Sequence, residues 1–201
     1  TTTTTDTVTG IFDSNATLFT FNPKEITVDN EDPGFRIIES NQKNKLQSFF
    51  KKESEDKYKN LNFWMPPSRW TATIGVNYYG DYINSAVYKK SGSGSNKTEW
   101  TTQIQIPGFY EVFVYTSELP MMGWRHRGGE EKKIQYYTVK HDDGEEEISV
   151  ETGRGRQGWR TLGSFYFSKG EAKITLSDKG SESNQIIFAD AVKWVYTNNN
   201  K

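Results

Sequence analysis

The segment WTTQIQIPGFYEVFVYT, residues 100–116, constrains the fold of this chain most, because its side chains alternate in character with a period of two. Before the turn at Pro107-Gly108, one side carries Trp100, Thr102, Ile104 and Ile106. After that turn, one side carries Tyr110, Val112, Val114 and Thr116. A period of two places alternate residues on one face of a β-strand, whereas a helix needs a period of about 3.6. The segment therefore predicts two half-buried antiparallel strands.

Similar short runs of β-branched and aromatic residues recur along the chain, separated by Gly, Asn, Asp and Pro. The predicted strands are 18–21, 25–29, 99–106, 108–116, 133–140, 145–151, 161–168, 171–177 and 185–196. The run 171–177 alternates as well, with Ala172, Ile174 and Leu176 on one side. Many short strands with turn signals between them are typical of a β-sandwich or a barrel.

The composition argues against several classes of function. The formal net charge of −1 supplies no basic surface for nucleic acid. The chain has no cysteine, which excludes disulfides, thiolate catalysis and cysteine–zinc sites. No apolar run approaches the roughly 18 residues that a membrane-spanning helix needs. No GxSxG, HExxH or phosphate-binding glycine motif occurs, so catalysis is disfavoured. Glycoside hydrolysis stays open, because it needs only two carboxylates that meet in the folded chain and leaves no local motif.

The length of 201 residues predicts one domain with polar ends. We expect residues 1–24 to form a flexible Thr-rich leader with a first strand, residues 25–197 the β-sandwich domain, and residues 198–201 a tail. A Lys/Glu-rich insertion at about 40–62 and a long loop at 117–132 interrupt the regular spacing. Mixed charge runs are usually solvated, whereas long loops between strands are more often functional.

One of the two histidines lies among carboxylates, in the stretch YTVKHDDGEEEISV, residues 137–150. His141, Asp142 and Asp143 could represent a metal site or an acid–base pair. Asp-Gly, however, is one of the strongest signals for a tight hairpin turn, and the flanking runs are strand-like. We therefore predict a hairpin, and no metal or other cofactor. Ca²⁺ binding by the carboxylate-rich turns at 29–32 and 142–143 stays open without specific support.

The second histidine marks the segment that we predict to bind a ligand. It lies in the glycine-flanked stretch GWRHRGG, residues 123–129, within the long loop. A tryptophan stacks on the apolar face of a sugar ring, and guanidinium groups bind carboxylates in a bidentate manner. The predicted ligand-binding residues are Trp124, Arg125, His126 and Arg127, with Tyr78, Tyr79 and Trp159 behind them. The alternative is a loop that folds its Met and Trp side chains back onto the core.

Six ordered segments resemble the motifs of one protein family. They are ITVDNEDPGF (26–35), RWTATIGVNYYGDYINSAVY (69–88), TEWTTQIQIPGFYEVFVYTS (98–117), YYTVKHDDGEEEISVE (136–151), GWRTLGSFYFSKGEAKITLSD (158–178) and IIFADAVKWV (186–195). Together they resemble the golvesin C-terminal-like domain, also described as a xanthan-lyase carbohydrate-binding-like module. Six motifs in the same order are far more specific than any one of them.

This resemblance implies an all-β fold, an antiparallel β-sandwich of jelly-roll type, in a secreted protein and usually appended to larger bacterial surface or extracellular enzymes. It implies a structural role for His141 and Gly144 in the hairpin. It also implies that Asp190 is an inward-facing carboxylate whose oxygens accept hydrogen bonds from backbone N–H groups. The charged insertion and the long loop depart from the family's pattern.

Residues and resemblance together predict a non-catalytic accessory module that binds a polysaccharide or other glycan at the bacterial outer surface. Other domains of a larger surface protein are expected partners, whereas nucleic acid is not, and the chain is expected to contain no membrane span. The alternative is a protein-interaction or spacer module in a cell-surface assembly. An exposed apolar patch, in place of a groove with polar neighbours, would favour that alternative.

Overall fold

The computed structural model describes residues 24–40, 57–117, 133–153 and 155–197. Within these ranges the chain forms twelve β-strands and no helix that is long and apolar enough to cross a membrane. In chain order the strands are β1 (Glu25–Val28), β2 (Phe35–Ile38), β3 (Thr71–Ile74), β4 (Ser85–Lys90), β5 (Lys97–Ile104), β6 (Gly108–Thr116), β7 (Lys133–His141), β8 (Gly144–Thr152), β9 (Gly158–Phe167), β10 (Gly170–Gly180), β11 (Ile186–Ala189) and β12 (Val192–Thr197).

The strands pair into three antiparallel sheets. The order is β1-β12-β6-β9 in the four-stranded sheet, β2-β5-β10-β7-β8 in the five-stranded sheet and β11-β4-β3 in the three-stranded sheet. The fold is thus the antiparallel β-sandwich of jelly-roll type that the sequence predicts. Most of the charged insertion and nearly all of the long loop lie outside the described residues.

The main core is built from alternate side chains of both larger sheets, as expected for a sandwich. Trp100 of β5 and Trp194 of β12 are its largest fully buried side chains. The faces predicted from alternation are confirmed by burial: Tyr110, Val112, Val114 and Thr116 of β6, and Ala172, Ile174 and Leu176 of β10. Because each buried aromatic removes roughly 150–250 Å² from water, a few such residues supply much of the driving force for folding.

A second, smaller apolar cluster lies against the three-stranded sheet. It contains Tyr78, Ala86, Tyr88, Ile186 and Phe188. The hydroxyl of Tyr88 donates to the carbonyl oxygen of Asn60 at 3.2 Å and accepts the N–H of Asn62 at 3.0 Å. The described end of the charged insertion is therefore held against the domain, next to the loop that joins β3 and β4.

Three differences from the predicted strands have local causes. The single strand predicted at 185–196 is two strands, β11 and β12, which belong to different sheets and are separated by Asp190 and Ala191. β4 was missed because it is buried on both faces and so lacks alternation, and β2 and β3 were missed because they are short. The strand predicted at 18–21 lies outside the described residues.

The hairpin predicted around His141 is confirmed. His141 pairs with Gly144, so Asp142 and Asp143 form the turn, and Gly144 has a φ of 132°. The carboxylate of Asp142 accepts hydrogen bonds from the hydroxyl and the N–H of Ser168, which hold the pKa of Asp142 below its usual value. The His141 ring packs 5.0 Å from that of Phe165, between ring centroids. These residues close a turn and attach it to β9.

Candidate functional site

A cavity of about 360 Å³ lies between the turn that joins β1 to β2 and the loop that joins β3 to β4. The β1 side contributes Thr27, Asp29, Glu31 and Asp32. The β3–β4 loop contributes Tyr79, Asp81, Tyr82 and Ile83. Its volume is within the range of roughly 300–1,000 Å³ that is typical of small-molecule sites. We refer to it below as the acidic cavity.

The acidic wall is shaped by local hydrogen bonds of the β1–β2 turn. The N–H of Asp32 donates to the carbonyl of Asp29 at 3.1 Å, and the Asp32 carboxylate accepts the N–H of Asp29 at 2.8 Å. The N–H of Asn30 donates to the carboxylate of Asp29 at 2.7 Å. Short polar side chains that bond their own backbone in this way are typical of turns. Asp32 thus closes the turn, and Asp29 is held against the cavity.

The opposite wall is a tight loop whose backbone bonds to itself. The N–H of Gly75 donates to the carbonyl of Asn84 at 3.0 Å, and the N–H of Ser85 donates to the carbonyl of Tyr79 at 3.3 Å. Gly80 has a φ of 151°, and a Cβ atom there would lie 2.1 Å from the carbonyl oxygen of Ile83. A side chain at this position would therefore force the loop apart.

Asp190 anchors this loop to the sandwich. Its carboxylate accepts the N–H of Tyr79 at 3.2 and 3.3 Å and the hydroxyl of Ser117 at 2.8 Å. Its carbonyl oxygen accepts the indole N–H of Trp100 at 3.0 Å. Burial raises the pKa of Asp190 well above its usual value. The expectation of an inward-facing carboxylate that accepts a backbone N–H is confirmed.

The electrostatics of the acidic cavity centre on Asp29, which is only 8% exposed. Burial, followed by repulsion from Asp32, Glu31 and Asp81, raises the pKa of Asp29 to about 7 against the lowering effect of the Asn30 N–H. Burial also acts to raise the pKa of Glu31, but hydrogen bonds from Lys57 and Ser85 outweigh it and the pKa is lowered. Glu31 is therefore an ionised, paired carboxylate, while Asp29 gains and loses its proton near neutral pH.

Of the three predicted ligand-binding residues that the structure describes, Tyr79 and Trp159 are in contact, whereas Tyr78 is buried elsewhere. Tyr79 lines the acidic cavity, and its ring lies 5.2 Å from that of Trp159 and 5.7 Å from that of Tyr115, between centroids. Trp159 is on β9 outside the cavity lining, and the ammonium of Lys193 lies 4.6 Å from the centroid of its ring. Tyr78 is buried in the smaller apolar cluster. Trp124, Arg125, His126 and Arg127 lie outside the described residues.

Sequence reasoning missed Asp81 and Tyr82, and it noted Asp29 and Asp32 only as members of a carboxylate-rich turn. The available signals were the acidic stretch DNED, residues 29–32, and the tyrosine-rich stretch YYGDY, residues 78–82. Nothing in either stretch shows that the two meet in the fold. Among the residues that the structure describes, no group of three or more His, Asp or Glu side chains is arranged to hold a metal ion. The cavity is therefore an acidic wall facing two tyrosines.

The fold and its cavity define the class of protein as a β-sandwich module with a loop-lined pocket. Residues 61–196 match the Golvesin C-terminal domain, and the chain belongs to that family. No curated protein matches the chain.

The chain is similar to solved structures at low sequence identity. A Paenibacillus xanthan lyase is 20% identical with a TM-score of 0.59, over 87% of this chain and 13% of the enzyme. A family 35 carbohydrate-binding module from Clostridium thermocellum is 13% identical with a TM-score of 0.47, over 85% of this chain and 98% of that module. The chain therefore corresponds in fold to a small part of the xanthan lyase.

Proposed function

We propose that the chain is a non-catalytic accessory module that binds carbohydrate in the acidic cavity. The observation that carries the proposal is a cavity of this size with carboxylates on one wall and tyrosines on the other. Carboxylates accept hydrogen bonds from sugar hydroxyls, and aromatic rings pack against the apolar face of a pyranose. Tyr79 lies within the lining, and Tyr82, which is 87% exposed, has its ring free to contact a ligand.

Two of the four carboxylates in the lining have structural contacts of their own. Asp32 already bonds the N–H of Asp29 to close the turn, and Glu31 forms an ion pair with Lys57 and accepts the hydroxyl of Ser85. A glycosidase needs one carboxyl as acid and a second as base or nucleophile, both free to act on the bond. Two of the four carboxylates are thus engaged in holding the wall, and we propose that the remaining two, Asp29 and Asp81, bind a ligand without reaction.

The setting that we propose is a larger secreted or surface-attached bacterial protein. The likeness in fold to part of a xanthan lyase fits a module joined to other domains and working on a polysaccharide. We propose that the folding unit spans residues 25–197, since β1 pairs with β12 and β2 pairs with β5, although both precede the part matched by the family. A contribution of Trp124, Arg125, His126 and Arg127 to binding stays a prediction.

A second candidate function, docking onto a protein partner, is favoured by a different observation. Large apolar side chains stand exposed at the end of β3 and in the segments before and after it. They are Trp64 (73%), Met65 (76%), Ile74 (58%) and Val76 (93%). Exposed apolar surface of this kind is often a site of protein interaction.

Affinity electrophoresis tests the first proposal against the second. The purified chain would migrate through gels containing neutral, acidic or amine-bearing polysaccharides, beside the variants Tyr82→Ala, Tyr166→Ala and Trp124→Ala. Tyr166 is an exposed tyrosine on β9, near the end of the sheet opposite Trp159, and serves as the matched control. We expect at least one polysaccharide to retard the parent and the control, and Tyr82→Ala to migrate freely.

Each other outcome has a defined meaning. Free migration of the parent in every gel would contradict carbohydrate binding and favour docking. Retardation that survives in Tyr82→Ala but is lost in Trp124→Ala would place binding on the long loop instead of the acidic cavity.

A further inference from the structure

The acidic cavity carries an excess of negative charge at its wall. Asp29, Glu31, Asp32 and Asp81 line it, whereas no lysine, arginine or histidine is among the lining residues. Lys57 neutralises Glu31 from outside the lining. A ligand that brought a carboxylate, sulfate or phosphate into this space would meet like charges, which disfavours binding.

Asp29 is the buried carboxylate of this wall, and no described basic side chain supplies its counter-charge. It is nine-tenths buried, it faces the cavity, and the hydrogen bond recorded for its carboxylate comes from the neighbouring N–H of Asn30. In the described ranges no basic side chain forms an ion pair with it. Burying a carboxylate without a cation is costly. An incoming cation would relieve both the burial cost and the repulsion from Asp32, Glu31 and Asp81.

The shape of the cavity distinguishes an organic cation from a metal ion. Ca²⁺ requires 6–8 oxygen ligands at roughly 2.3–2.6 Å, and the described acidic residues form no such group. The volume of about 360 Å³ accommodates a ligand far larger than an ion. Two tyrosines complete the lining, and aromatic faces attract ammonium groups as well as the apolar faces of rings.

We propose that the acidic cavity selects sugar units bearing a protonated amine, with Asp29 and Asp81 as counter-ions and Tyr79 and Tyr82 as the aromatic wall. This inference rests on the proposed carbohydrate binding and adds the chemical class of the sugar. A lysine side chain of a protein offers the same ammonium group, but it lacks the ring that the two tyrosines would contact.

The test compares two ligands that share a backbone and differ in charge. Isothermal titration calorimetry at neutral pH, close to the pKa of about 7 of Asp29, would measure binding of a β-1,4-linked glucosamine hexamer and of its fully N-acetylated counterpart. We expect the amine form to bind at least about tenfold more tightly, since hydrogen bonds between ionised partners are strong. Asp29→Asn should reduce this preference several-fold, with Asp81 supplying the remainder, and Tyr82→Ala should weaken the binding of both hexamers.

The control variant is Asp143→Asn, which makes the same chemical change at an exposed turn far along the chain from the cavity wall. It should keep the tenfold preference. A loss of preference in Asp143→Asn equal to that in Asp29→Asn would indicate general attraction to an acidic protein and overturn the site.

The remaining outcomes separate this inference from the function on which it rests. Equal affinity for the two hexamers, or binding of other neutral glycans only, would overturn amine selection and leave carbohydrate binding intact. If no glycan binds, both carbohydrate binding and amine selection are contradicted. Binding of a lysine-rich peptide as tightly as the glucosamine hexamer would contradict selection for a sugar. Thermal unfolding of each variant, followed by circular dichroism, would show that the compared proteins are folded.

Discussion

The backbone N–H of Tyr79 donates to both carboxylate oxygens of Asp190, at 3.3 and 3.2 Å, across 111 positions of the sequence. Asp190 follows the last residue of β11, and after Ala191 the chain enters β12 in another sheet. This contact joins the loop that carries Tyr79, Asp81 and Tyr82 to the junction between the sheets. The acidic cavity therefore depends on a residue that does not line it.

Removing the Asp190 carboxylate should destabilise the fold. Asp190→Ala leaves the Tyr79 N–H and the Ser117 hydroxyl without this acceptor, and each unsatisfied buried group costs about 1–3 kcal/mol. We expect the free energy of unfolding, measured by urea denaturation, to fall by about 2–4 kcal/mol. Asp190→Asn keeps an acceptor of nearly the same shape and should lose less than half as much. Equal losses in the two variants would show that the hydrogen bonds contribute little.

Two glycine substitutions should separate backbone strain from damage to the cavity. Gly80 and Gly144 have φ values of 151° and 132°, which L side chains rarely adopt. A Cβ atom at Gly80 would lie 2.1 Å from the carbonyl oxygen of Ile83, whereas one at Gly144 meets nothing within 4 Å. We expect Gly144→Ala to cost about 1–2 kcal/mol in thermal or urea unfolding, and Gly80→Ala to cost more because the clash with Ile83 adds to the backbone strain. Retardation by a polysaccharide should be lost in Gly80→Ala alone, and its persistence there would contradict the placement of the site.

The buried carboxyl of Asp29 should make stability fall as pH rises. Its pKa is raised to about 7 in the folded chain, by burial and then by its acidic neighbours, with Asp190 also nearby. The folded chain therefore holds the Asp29 proton more tightly than the unfolded chain does. The stability that this proton contributes is complete below the ordinary pKa of 3.8 and is lost as pH rises through 7.

Asp29→Asn removes this titration and keeps an oxygen for the Asn30 N–H. We expect its unfolding free energy, relative to the parent, to increase by roughly 2–3 kcal/mol between about pH 5 and pH 8, at about 1.4 kcal/mol per pKa unit. Urea denaturation at the two pH values measures this difference. Asp143→Asn is the matched control and should follow the parent, and a constant difference for Asp29→Asn would contradict the assigned pKa.

Replacing one partner of the ion pair between Lys89 and Asp178 should be strongly destabilising. Both side chains are almost wholly buried, and Asp178 also accepts the N–H of Gly94 at 2.7 Å and the side-chain amide of Asn96 at 3.0 Å. Lys89→Met leaves a buried carboxylate without its cation, which typically costs about 3–5 kcal/mol. The measurement is the urea midpoint and slope at neutral pH.

A solvent-exposed ion pair is the appropriate comparison for Lys89→Met. Glu171, with a side chain that is 56% exposed, lies 3.8 Å from the ammonium of Lys173, and Glu171→Gln should change stability by less than about 1 kcal/mol. In the double variant Lys89→Met/Asp178→Asn, part of the loss should be recovered because no unpaired charge stays buried. Similar small losses for Lys89→Met and Glu171→Gln would mean that water reaches the buried pair.

Local sequence patterns predicted those parts of the fold whose cause is local. The alternation in residues 108–116 reproduced the bounds and buried face of β6, and His141 to Gly144 form the predicted hairpin. β4 was not predicted, because its residues are buried on both faces and no alternation of polar and apolar side chains marks it. The single strand predicted at 185–196 is two strands because Asp190 directs the chain from one sheet to another, and no period in the sequence reports that change.

The sequence by itself determined the fold class, the buried faces of the long strands and, through its ordered motifs, the family. Only the tertiary structure decided where a cavity forms and which residues line it. Asp29 and Asp81 line the same cavity because Asp190 holds the loop that carries Asp81. The charge of Asp81 then contributes to the raised pKa of Asp29. Burial and neighbouring charges set the pKa of Asp29, and both are properties of the folded arrangement that no stretch of sequence contains.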